Sequence, residues 1–534
     1  MRVRKLAAVL LMAAAPGLAS DCTRTKTGLV PLTDLGAGLY KNQYQGGLYP
    51  GGANVRPAAH EAAGLRLAAQ VVPRDAQGNP DPANGRIVLL SIGMSNTTIE
   101  FSGFKAIADA DPQKNPRLTI VDGAQGGQTA YVITTNGAQF WANVDSRMQN
   151  AGVTNQQVQV VWMKEANAQP TEPFPQHAQM LQSQLATLAR TLQSRYPNLK
   201  LLYLSSRIYG GYATTALNPE PYAYEGGFAM KWLIEQQING DQSLSYDAGA
   251  APWMAWGPYL WADGLSIRND GLIWACSEFR DTDGTHPADG ARRKVAMMLL
   301  DFFKSDTTAR TWFLKPPVAG APQPAIAAVS SAANWGTAVA PGSIAVVWGT
   351  SLARTESAAG GQPVPLVLGG ARVEVDGVSC PLYYTSDGQI NVVLPRTASA
   401  GSATVIRDGV ASAAFSFDLR PSAPAFFYQA DNRTGAALHV VPAYDVIDET
   451  KPARLGETIA LFGTGLAAAP DLTLLVGGKR AEVQYIGISP GTPGLDQVNF
   501  TIPADAPTGP AVAIELTAGG AAANTVTLPI APGN

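Results

Sequence analysis

Short apolar runs alternate with helix-like segments over residues 86–303. The runs are Ile87–Ile92, Leu118–Val121, Val158–Met163 and Leu201–Ser205. Continuous aliphatic runs of this length predict strands buried on both faces. Residues 172–196 and 287–303 instead carry apolar side chains at helical spacing, and Pro197 ends the first of these patterns. Strand, helix and strand in this order predict an α/β domain with a parallel sheet.

After residue 311 the pattern changes to short alternating runs separated by Gly, Pro and Asp-Gly turns. Residues 315–325 (KPPVAGAPQPA) have the composition of a linker. The predicted strands beyond it are Ile344–Trp348, Ala371–Val375, Pro381–Tyr384, Ile390–Leu394 and Ala403–Ile406. This pattern is typical of antiparallel β-sandwiches.

The C-terminal part contains an internal repeat. PGSIAVVWGTSLA at 341–353 matches LGETIALFGTGLA at 455–467. GQINVVLP around Gln389 matches DQVNFTIP around Gln497. We therefore predict two copies of a β unit of about 100 residues, covering 326–420 and 421–534.

Composition excludes several classes of protein. Only 15% of the 534 residues are charged, and 54 Gly and 39 Pro are present, which excludes a charge-rich disordered chain and a coiled coil. The formal net charge of -3 gives no electrostatic footprint for nucleic acid. No apolar stretch after the N-terminus reaches the roughly 18 residues of a membrane span.

The N-terminus has the order of a secretory signal. Arg2, Arg4 and Lys5 precede an apolar run, and small residues follow up to Ser20. We predict a signal peptide over 1–20, cleavage near Ala19 or Ser20, and a secreted protein, extracellular or periplasmic. A lipid anchor on Cys22 stays an alternative, although Asp21 does not fit the small residue that such an anchor needs.

Three cysteines would lie in an oxidising compartment. We favour a disulfide between Cys22 and Cys276, since both belong to the predicted first domain (21–314) and Cys380 follows the linker. Three unpaired cysteines are the alternative. No Cys/His spacing resembles a zinc site, so neither a metal nor a cofactor is expected.

Two short segments carry residues of nucleophilic catalysis. Asp283-Gly284-Thr285-His286-Pro287 directly precedes the last predicted helix, and an Asp three residues before a His can orient the imidazole. Ser95 follows the first predicted strand within Gly93-Met94-Ser95-Asn96, at the carboxyl edge of the sheet where α/β sites form. The alternatives are a turn-capping Asp and a helix-capping Ser. His60, His177 and His439 lie in no such pattern and are interpreted as structural or surface residues.

Residues 86–303 resemble an SGNH (GDSL-type) hydrolase domain through four ordered blocks. They are Gly93-Met94-Ser95-Asn96, Asp122 to Thr129, Glu165-Ala166-Asn167 and Asp283 to Pro287. The resemblance implies a three-layer α/β/α fold, a Ser95, His286 and Asp283 triad, and an oxyanion hole of Ser95, Gly127 and Asn167, with Gly126 as the rival to Gly127. The first block is closest to the sialate O-acetylesterase-like branch. Met94 replaces the usual Asp, and the usual Gly before Asn167 is absent.

The two β units resemble the immunoglobulin-like, IPT/TIG-type repeats of secreted bacterial proteins, through their G-T-x-L-A and Q-[IV]-N blocks. That resemblance implies two all-β sandwiches and says little about function. We expect these modules to contact a cell surface or a polysaccharide.

Aromatic residues crowd the segment between the third and fourth blocks. Aromatic rings in Gly- and Pro-rich loops can form the walls of a sugar-binding cleft, and an ordinary loop core is the alternative. The expected substrate-binding residues are Arg207, Tyr209, Tyr222 and Trp256. Residues 21–84 are expected to cover the hydrolase domain.

The leading hypothesis is a secreted carboxylic ester hydrolase that removes acyl groups, such as acetyl, from a carbohydrate or another small ester. Met94 and the missing Gly before Asn167 motivate one alternative, a non-catalytic surface-binding or adhesion protein with a degenerate hydrolase domain. A lipase or thioesterase on the same scaffold is the other. Neither a nucleic acid nor a membrane is expected as a partner.

Overall fold

A computed structural model describes residues 20–316, 322–361, 363–440, 444–466, 471–489 and 491–533. The predicted signal peptide lies outside the described residues except for Ser20, and so does part of the predicted linker. Within the described ranges, no helix is both long and apolar enough to cross a membrane.

Residues 20–316 form an α/β domain. Its strands are β1 (Leu39–Tyr40), β2 (Tyr44–Gln45), β3 (Ile87–Gly93), β4 (Leu118–Asp122), β5 (Val158–Lys164), β6 (Leu201–Leu204) and β7 (Trp253–Trp256). Its helices are α1 (Leu32–Leu35), α2 (Ala58–Ala68), α3 (Ser95–Ala110), α4 (Ala130–Asn136), α5 (Ala138–Asn150), α6 (Gln176–Arg195), α7 (Tyr222–Ile238), α8 (Asp289–Ser305) and α9 (Arg310–Phe313). These strands include the four that the aliphatic runs predict.

The sheet is doubly wound. Its five strands pair in the order β4-β3-β5-β6-β7, all parallel. The chain moves from β3 outward to β4 and then returns to β5 on the other side of β3, so the order reverses between β3 and β5. Right-handed crossovers in opposite directions place α3 and α6 on opposite faces. Every residue of β3 and β5 is buried, as expected for strands covered on both sides.

The N-terminal segment packs onto this domain. Asp263 accepts hydrogen bonds from the backbone N–H groups of Thr27 (2.7 Å) and Gly28 (2.8 Å). A disulfide joins Cys22 to Cys276 with their Cα atoms 5.4 Å apart, which confirms the predicted pair. The segment therefore covers the domain and is tied to the chain shortly before His286.

The strands of the first β-sandwich are β8 (Ala325–Ser331), β9 (Ile344–Thr350), β10 (Ser357–Ala358), β11 (Ala371–Val375), β12 (Val378–Ser379), β13 (Leu382–Thr385), β14 (Gln389–Val393), β15 (Ser402–Arg407), β16 (Val410–Ala411) and β17 (Phe415–Ser416). They form two antiparallel sheets, in the orders β10-β13-β14-β9-β8 and β12-β11-β15-β16, with β17 on β15. Its core includes Val347, Val373, Ile390 and Val405, one from each of four strands.

The strands of the second β-sandwich are β18 (Ala425–Phe426), β19 (Ala437–His439), β20 (Ala453–Arg454), β21 (Thr458–Thr464), β22 (Leu472–Val476), β23 (Lys479–Arg480), β24 (Glu482–Ile488), β25 (Asp496–Thr501), β26 (Gly509–Ala518), β27 (Ala521–Ala522) and β28 (Val526–Ala531). They form two sheets in the orders β18-β21-β25-β24, with β19 on β21, and β20-β28-β26-β22-β23, with β27 on β26. The pairing is antiparallel except between β20 and β28, which are parallel. The repeated sequence blocks form the paired strands β9/β14 and β21/β25.

Two helices begin later than their sequence patterns suggest. The helix predicted from residue 172 begins at Gln176, and the helix predicted from residue 287 begins at Asp289. Prolines cause both shifts, because the residue before a proline avoids helical conformation and proline has no N–H to donate. The predicted strands form within two residues of their expected bounds.

The disulfide gives the first testable prediction. Replacing Cys22 and Cys276 by Ser should lower the free energy of unfolding by about 2–4 kcal/mol, because the bridge closes a long loop. A reducing agent should lower the melting temperature of the wild-type protein and leave that of the double variant unchanged. The control is Cys380→Ala, since Cys380 is buried and unbridged and should keep the wild-type sensitivity to the reducing agent. Equal sensitivity of the double variant would contradict the prediction.

Candidate active site

Ser95 lies at the carboxyl end of β3, where the strand turns directly into α3. It is the first residue of α3, so its backbone N–H belongs to the turn that makes no intrahelical hydrogen bond. Gly93 makes the tight turn feasible. A Cβ there would lie 2.4 Å from the carbonyl oxygen of Lys164 and 2.3 Å from Oγ1 of Thr97. The serine is therefore presented at the edge of the sheet, next to the point where the strand order reverses.

Three side chains predicted from distant segments form one hydrogen-bonded chain. Ser95 Oγ lies 2.8 Å from His286 Nε2. His286 Nδ1 lies 2.7 Å from Asp283 Oδ2. The side chains of His286 and Asp283 are 16% and 17% exposed, so the chain can be reached from solvent. This arrangement has the nucleophile, base and orienting carboxylate of a serine hydrolase triad.

The turn before α8 fixes the carboxylate. Oδ1 of Asp283 accepts the backbone N–H groups of Thr285 (2.8 Å) and His286 (2.9 Å). Burial acts to raise the pKa of Asp283, but these N–H groups and the imidazole outweigh it and lower that pKa. Gly284 has φ +59°, and a Cβ there would lie 1.9 Å from the carbonyl oxygen of Tyr212. The turn thus keeps Asp283 ionised against the ring.

Asn96 joins the serine turn to the histidine turn. Its Nδ2 donates to the carbonyl oxygen of Thr285 at 3.0 Å, and the side chain is buried. Asn96, which is predicted only as part of the serine block, therefore fixes the position of the Ser95 turn relative to the His286 turn.

The loop after β4 brings Gly126 close to the serine. Gln125 N donates to the carbonyl oxygen of Gly93 at 2.9 Å, and a Cβ on Gly126 would lie 3.9 Å from that of Ser95. Gly127 is exposed with φ +75°. Within the described residues, neither glycine N–H donates a hydrogen bond to the protein. Both N–H groups are therefore free to bind a ligand oxygen.

Asn167, after β5, is held by neighbours on two helices. Its Oδ1 accepts from the N–H of Tyr131 at 3.1 Å, and its Nδ2 donates to Oε1 of Gln184 at 2.7 Å. The backbone carbonyl of Ala166 accepts from Ala130 N at 3.2 Å, which ties this loop to the start of α4. An amide donates two hydrogens, so one remains for a ligand.

Buried charges beneath the site were not found from sequence. Lys164 forms an ion pair with Glu100, and both side chains are fully buried. Burial raises the pKa of Glu100 against the attraction of Lys164, and lowers the pKa of Lys164. Glu165 is also buried, and burial raises its pKa well above the usual range against the opposing effects of the Ala166 N–H and the Arg207 charge. Neither the continuous buried run of β5 nor the helical pattern of α3 carries a signal for this pairing.

Two of the expected substrate-binding residues are wrong. Tyr209 is 0% exposed and its hydroxyl donates to the carbonyl oxygen of Arg24. Trp256 is 3% exposed and its indole N–H donates to the carbonyl oxygen of Leu48. Both are core residues because the N-terminal segment covers this side of the domain, so the loop-core alternative holds for them.

The other two expected substrate-binding residues, Tyr222 and Arg207, lie in different surroundings. Tyr222 is half-buried and lines a narrow cleft with Asn167, Pro170, His177, Met180, Leu181 and Asn218. Arg207 is only 5% exposed, and its Nε has no hydrogen-bond partner among the described residues. Burial lowers the pKa of Arg207, while the charges of Glu100, Glu220 and Asp283 oppose that effect. Arg207 therefore lies beneath the site and not on its wall.

The remaining histidines have structural partners. His60 Nε2 bonds the carbonyl oxygen of Met254 at 2.8 Å, and His177 Nε2 bonds Glu225 at 2.7 Å. His439 contacts Glu457 and the carbonyl oxygen of Lys451. No group of three or more His, Cys, Asp or Glu side chains suited to a metal ion occurs in the described part of the chain.

No family model matches the chain, and no curated protein matches it. Among solved structures, the chain is similar to the plexin A4 extracellular region (13% identity, 41% of this chain, 17% of that chain, TM-score 0.15). It is also similar to the titin Ig tandem A164-A165 (15% identity, 39% and 97%, TM-score 0.14). A third is an auxiliary nutrient binding protein from Bacteroides ovatus (11% identity, 40% and 60%, TM-score 0.15).

The chain covers less than a fifth of the plexin chain. TM-scores this low carry no argument, so the β-sandwich description rests on the strand pairing. The hydrolase resemblance is not tested by these comparisons and stays a prediction.

The buried ion pair gives a second testable prediction. Lys164→Met should lower the free energy of unfolding of the α/β domain by about 3–5 kcal/mol, because it leaves Glu100 buried without a partner. The double variant Glu100→Leu/Lys164→Met should be destabilised much less. Denaturant titration with tryptophan fluorescence measures both, since most of the tryptophans lie in this domain. Equal destabilisation of the single and double variants would show that the charge pairing is not the cause.

Proposed function

We propose that the chain is a serine esterase of SGNH type. The observation that carries the proposal is the chain of hydrogen bonds Ser95–His286–Asp283 at the carboxyl edge of a doubly wound sheet. Ligands bind such sheets at the reversal of strand order, and Ser95 and Asn167 follow the two strands that flank it. The four sequence blocks that resemble the family all lie at this edge or at the start of α8.

The geometry supports acyl transfer through a covalent intermediate. Ser95 Oγ would attack the ester carbonyl while His286 Nε2 takes its proton, and Asp283 would stabilise the resulting imidazolium. The tetrahedral oxyanion would be bound by the N–H groups of Ser95 and Gly127 and by the remaining amide hydrogen of Asn167. Collapse breaks the ester C–O bond, and His286 returns the proton to the leaving alkoxide. Water, deprotonated by His286, then hydrolyses the acyl-enzyme.

The substrate we propose is a small acyl group, such as acetyl, carried by a carbohydrate or another small alcohol. The acyl group is inferred from the family resemblance, because the small cleft beside Asn167 is lined by none of the triad side chains. The carbohydrate carrier is inferred from the family resemblance. A secreted location accords with the Cys22–Cys276 disulfide, because such bonds persist in oxidising compartments.

Ser95→Ala tests the nucleophile. We expect hydrolysis of p-nitrophenyl acetate to fall by at least about 10³-fold, because the residual rate of a triad variant comes only from binding and the oxyanion hole. A fluorophosphonate should label the wild-type protein at Ser95 and leave the variant unlabelled. Ser102→Ala is the matched control, because Ser102 lies on the same helix and its hydroxyl donates only to the carbonyl oxygen of Ile99.

Wild-type rates in Ser95→Ala, or no labelling of the wild-type protein, would refute the esterase proposal. In the second case the non-catalytic surface-binding alternative would be favoured. Faster hydrolysis of p-nitrophenyl palmitate than of acetylated xylan or p-nitrophenyl acetate would refute the substrate proposal and leave the catalytic one standing.

Asn167→Ala tests the oxyanion hole. We expect kcat to fall by about 100- to 1000-fold with a smaller change in KM, because the lost hydrogen bond forms mainly in the transition state. The control is Asn150→Ala, an exposed asparagine at the end of α5. A rise in KM with an unchanged kcat would show that Asn167 only binds substrate.

A further inference from the structure

The outer face of one sheet of the second β-sandwich carries a cleft that the proposed esterase does not use. Its volume is about 480 Å³, and its lining residues are Tyr444, Phe462, Tyr485, Ser489, Gln497 and Asn499. None of these six side chains is charged. Tyr444 and Tyr485 are 67% and 41% exposed, and both line this cleft, so large aromatic side chains face solvent together here.

The strand register explains how the cleft is built. Gln497 is paired with Phe462 across β25 and β21, and Asn499 is paired with Tyr485 across β25 and β24. Residues two apart on a strand share a face, so Gln497 and Asn499 point outward while Val498 and Phe500 are buried in the core. The face therefore carries two aromatic rings flanking two amides.

The amides keep hydrogen-bonding groups for a ligand. Gln497 Nε2 donates to Asn499 Oδ1 at 2.8 Å, which fixes both side chains. Within the described residues, Gln497 Oε1 and Asn499 Nδ2 have no hydrogen-bond partner in the protein, so this face offers one amide acceptor and one amide donor to a ligand. Adjacent hydroxyls of a sugar ring present the complementary pair, and aromatic rings can pack on the apolar faces of sugars.

The first β-sandwich carries the same framework. Gln389 is paired with Trp348, Asn391 is paired with Tyr384, and Gln389 Nε2 donates to Asn391 Oδ1 at 2.7 Å. Trp335, 58% exposed, packs beside Trp348 with ring centroids 6.0 Å apart. Outward positions of a sheet are free to differ between two copies of a repeat. Both copies nevertheless keep an amide pair between aromatic residues, which points to a ligand-binding surface.

We propose that the cleft of the second β-sandwich is a binding site for neutral polysaccharide. The uncharged lining disfavours a polyanion, because no Lys or Arg of the lining could neutralise it. Exposed aromatic side chains together with fixed amides suit the alternating apolar and hydroxyl faces of a glycan. The site lies on a different domain from Ser95 and does not depend on the proposed esterase activity.

Affinity electrophoresis of the full mature chain tests the site. Gels containing xylan or galactomannan are the neutral probes, and gels containing alginate are the polyanionic probe. We expect retardation by at least one neutral polysaccharide and none by alginate. Phe462→Ala/Tyr485→Ala should weaken the apparent association constant at least about tenfold, because aromatic anchors carry much of the binding energy at such sites.

The matched control is Thr517→Ala, an exposed residue on the opposite sheet of the same sandwich. It should bind like the wild-type protein, and all variants should keep the wild-type melting temperature and the wild-type rate on p-nitrophenyl acetate. Absence of retardation by both neutral polysaccharides, equal retardation by alginate, or unchanged binding of the double variant would overturn the proposal. Loss of esterase activity in Ser95→Ala bears only on the catalytic proposal, so the two fail separately.

Discussion

The reversal of strand order between β3 and β5 is the constraint on which the candidate site depends. The connections that follow two adjacent parallel strands run in opposite directions here, and a crevice opens at the carboxyl ends of the strands because the following helices cover opposite faces. Ser95, at the start of α3, and Asn167, in the loop after β5, border that crevice. The histidine turn reaches it from the start of α8, which packs against α3. No single strand or helix could bring these groups together.

Buried electrostatics hold the crevice in place. The Lys164–Glu100 pair joins β5 to α3 directly beneath the serine turn. Removing one partner of such a pair is costly, because the other charge stays buried, so the pair fixes the relative position of the two elements more than it adds net stability. Asn96 and the two backbone N–H groups that donate to Asp283 likewise fix the position of the histidine turn. The reactive side chains are thereby oriented before any substrate arrives, which is what electrostatic catalysis requires.

The two β-sandwiches are held together by apolar cores. Each copy needs inward-facing aliphatic residues to form its core, and this requirement explains the shared alternating blocks. It does not explain the outward-facing amides and aromatic residues, since solvent-facing positions make no contribution to that core. A duplicated module with a retained outer face can bind a repeating ligand at more than one point, and linked sites of this kind raise the apparent affinity without any new contact.

Local patterns determined much of the architecture. The aliphatic runs predicted four of the five strands of the parallel sheet but not β7, and the repeated blocks predicted the second sandwich. The shared domain favoured the Cys22–Cys276 pair over three unpaired cysteines. The order of the blocks also located Ser95, Asp283 and His286, whose proximity the structure shows. The strands follow from periodicity, which acts over a few residues, whereas the triad was located by the resemblance of the ordered blocks to a hydrolase family.

Only the tertiary structure decided which side chains are exposed. Tyr209 and Trp256 were expected in loops that form a cleft wall, yet the N-terminal segment buries both, and Trp256 is the last residue of β7. Glu100 and Lys164 are 64 residues apart and carry no local signal of their pairing. The amide pair Gln497 and Asn499 was visible as a repeated motif, but its outward direction followed from the strand register. Burial and pairing depend on segments that are distant in sequence. The sequence alone therefore predicted strands and helices, whereas the packing of the chain determined which side chains are exposed.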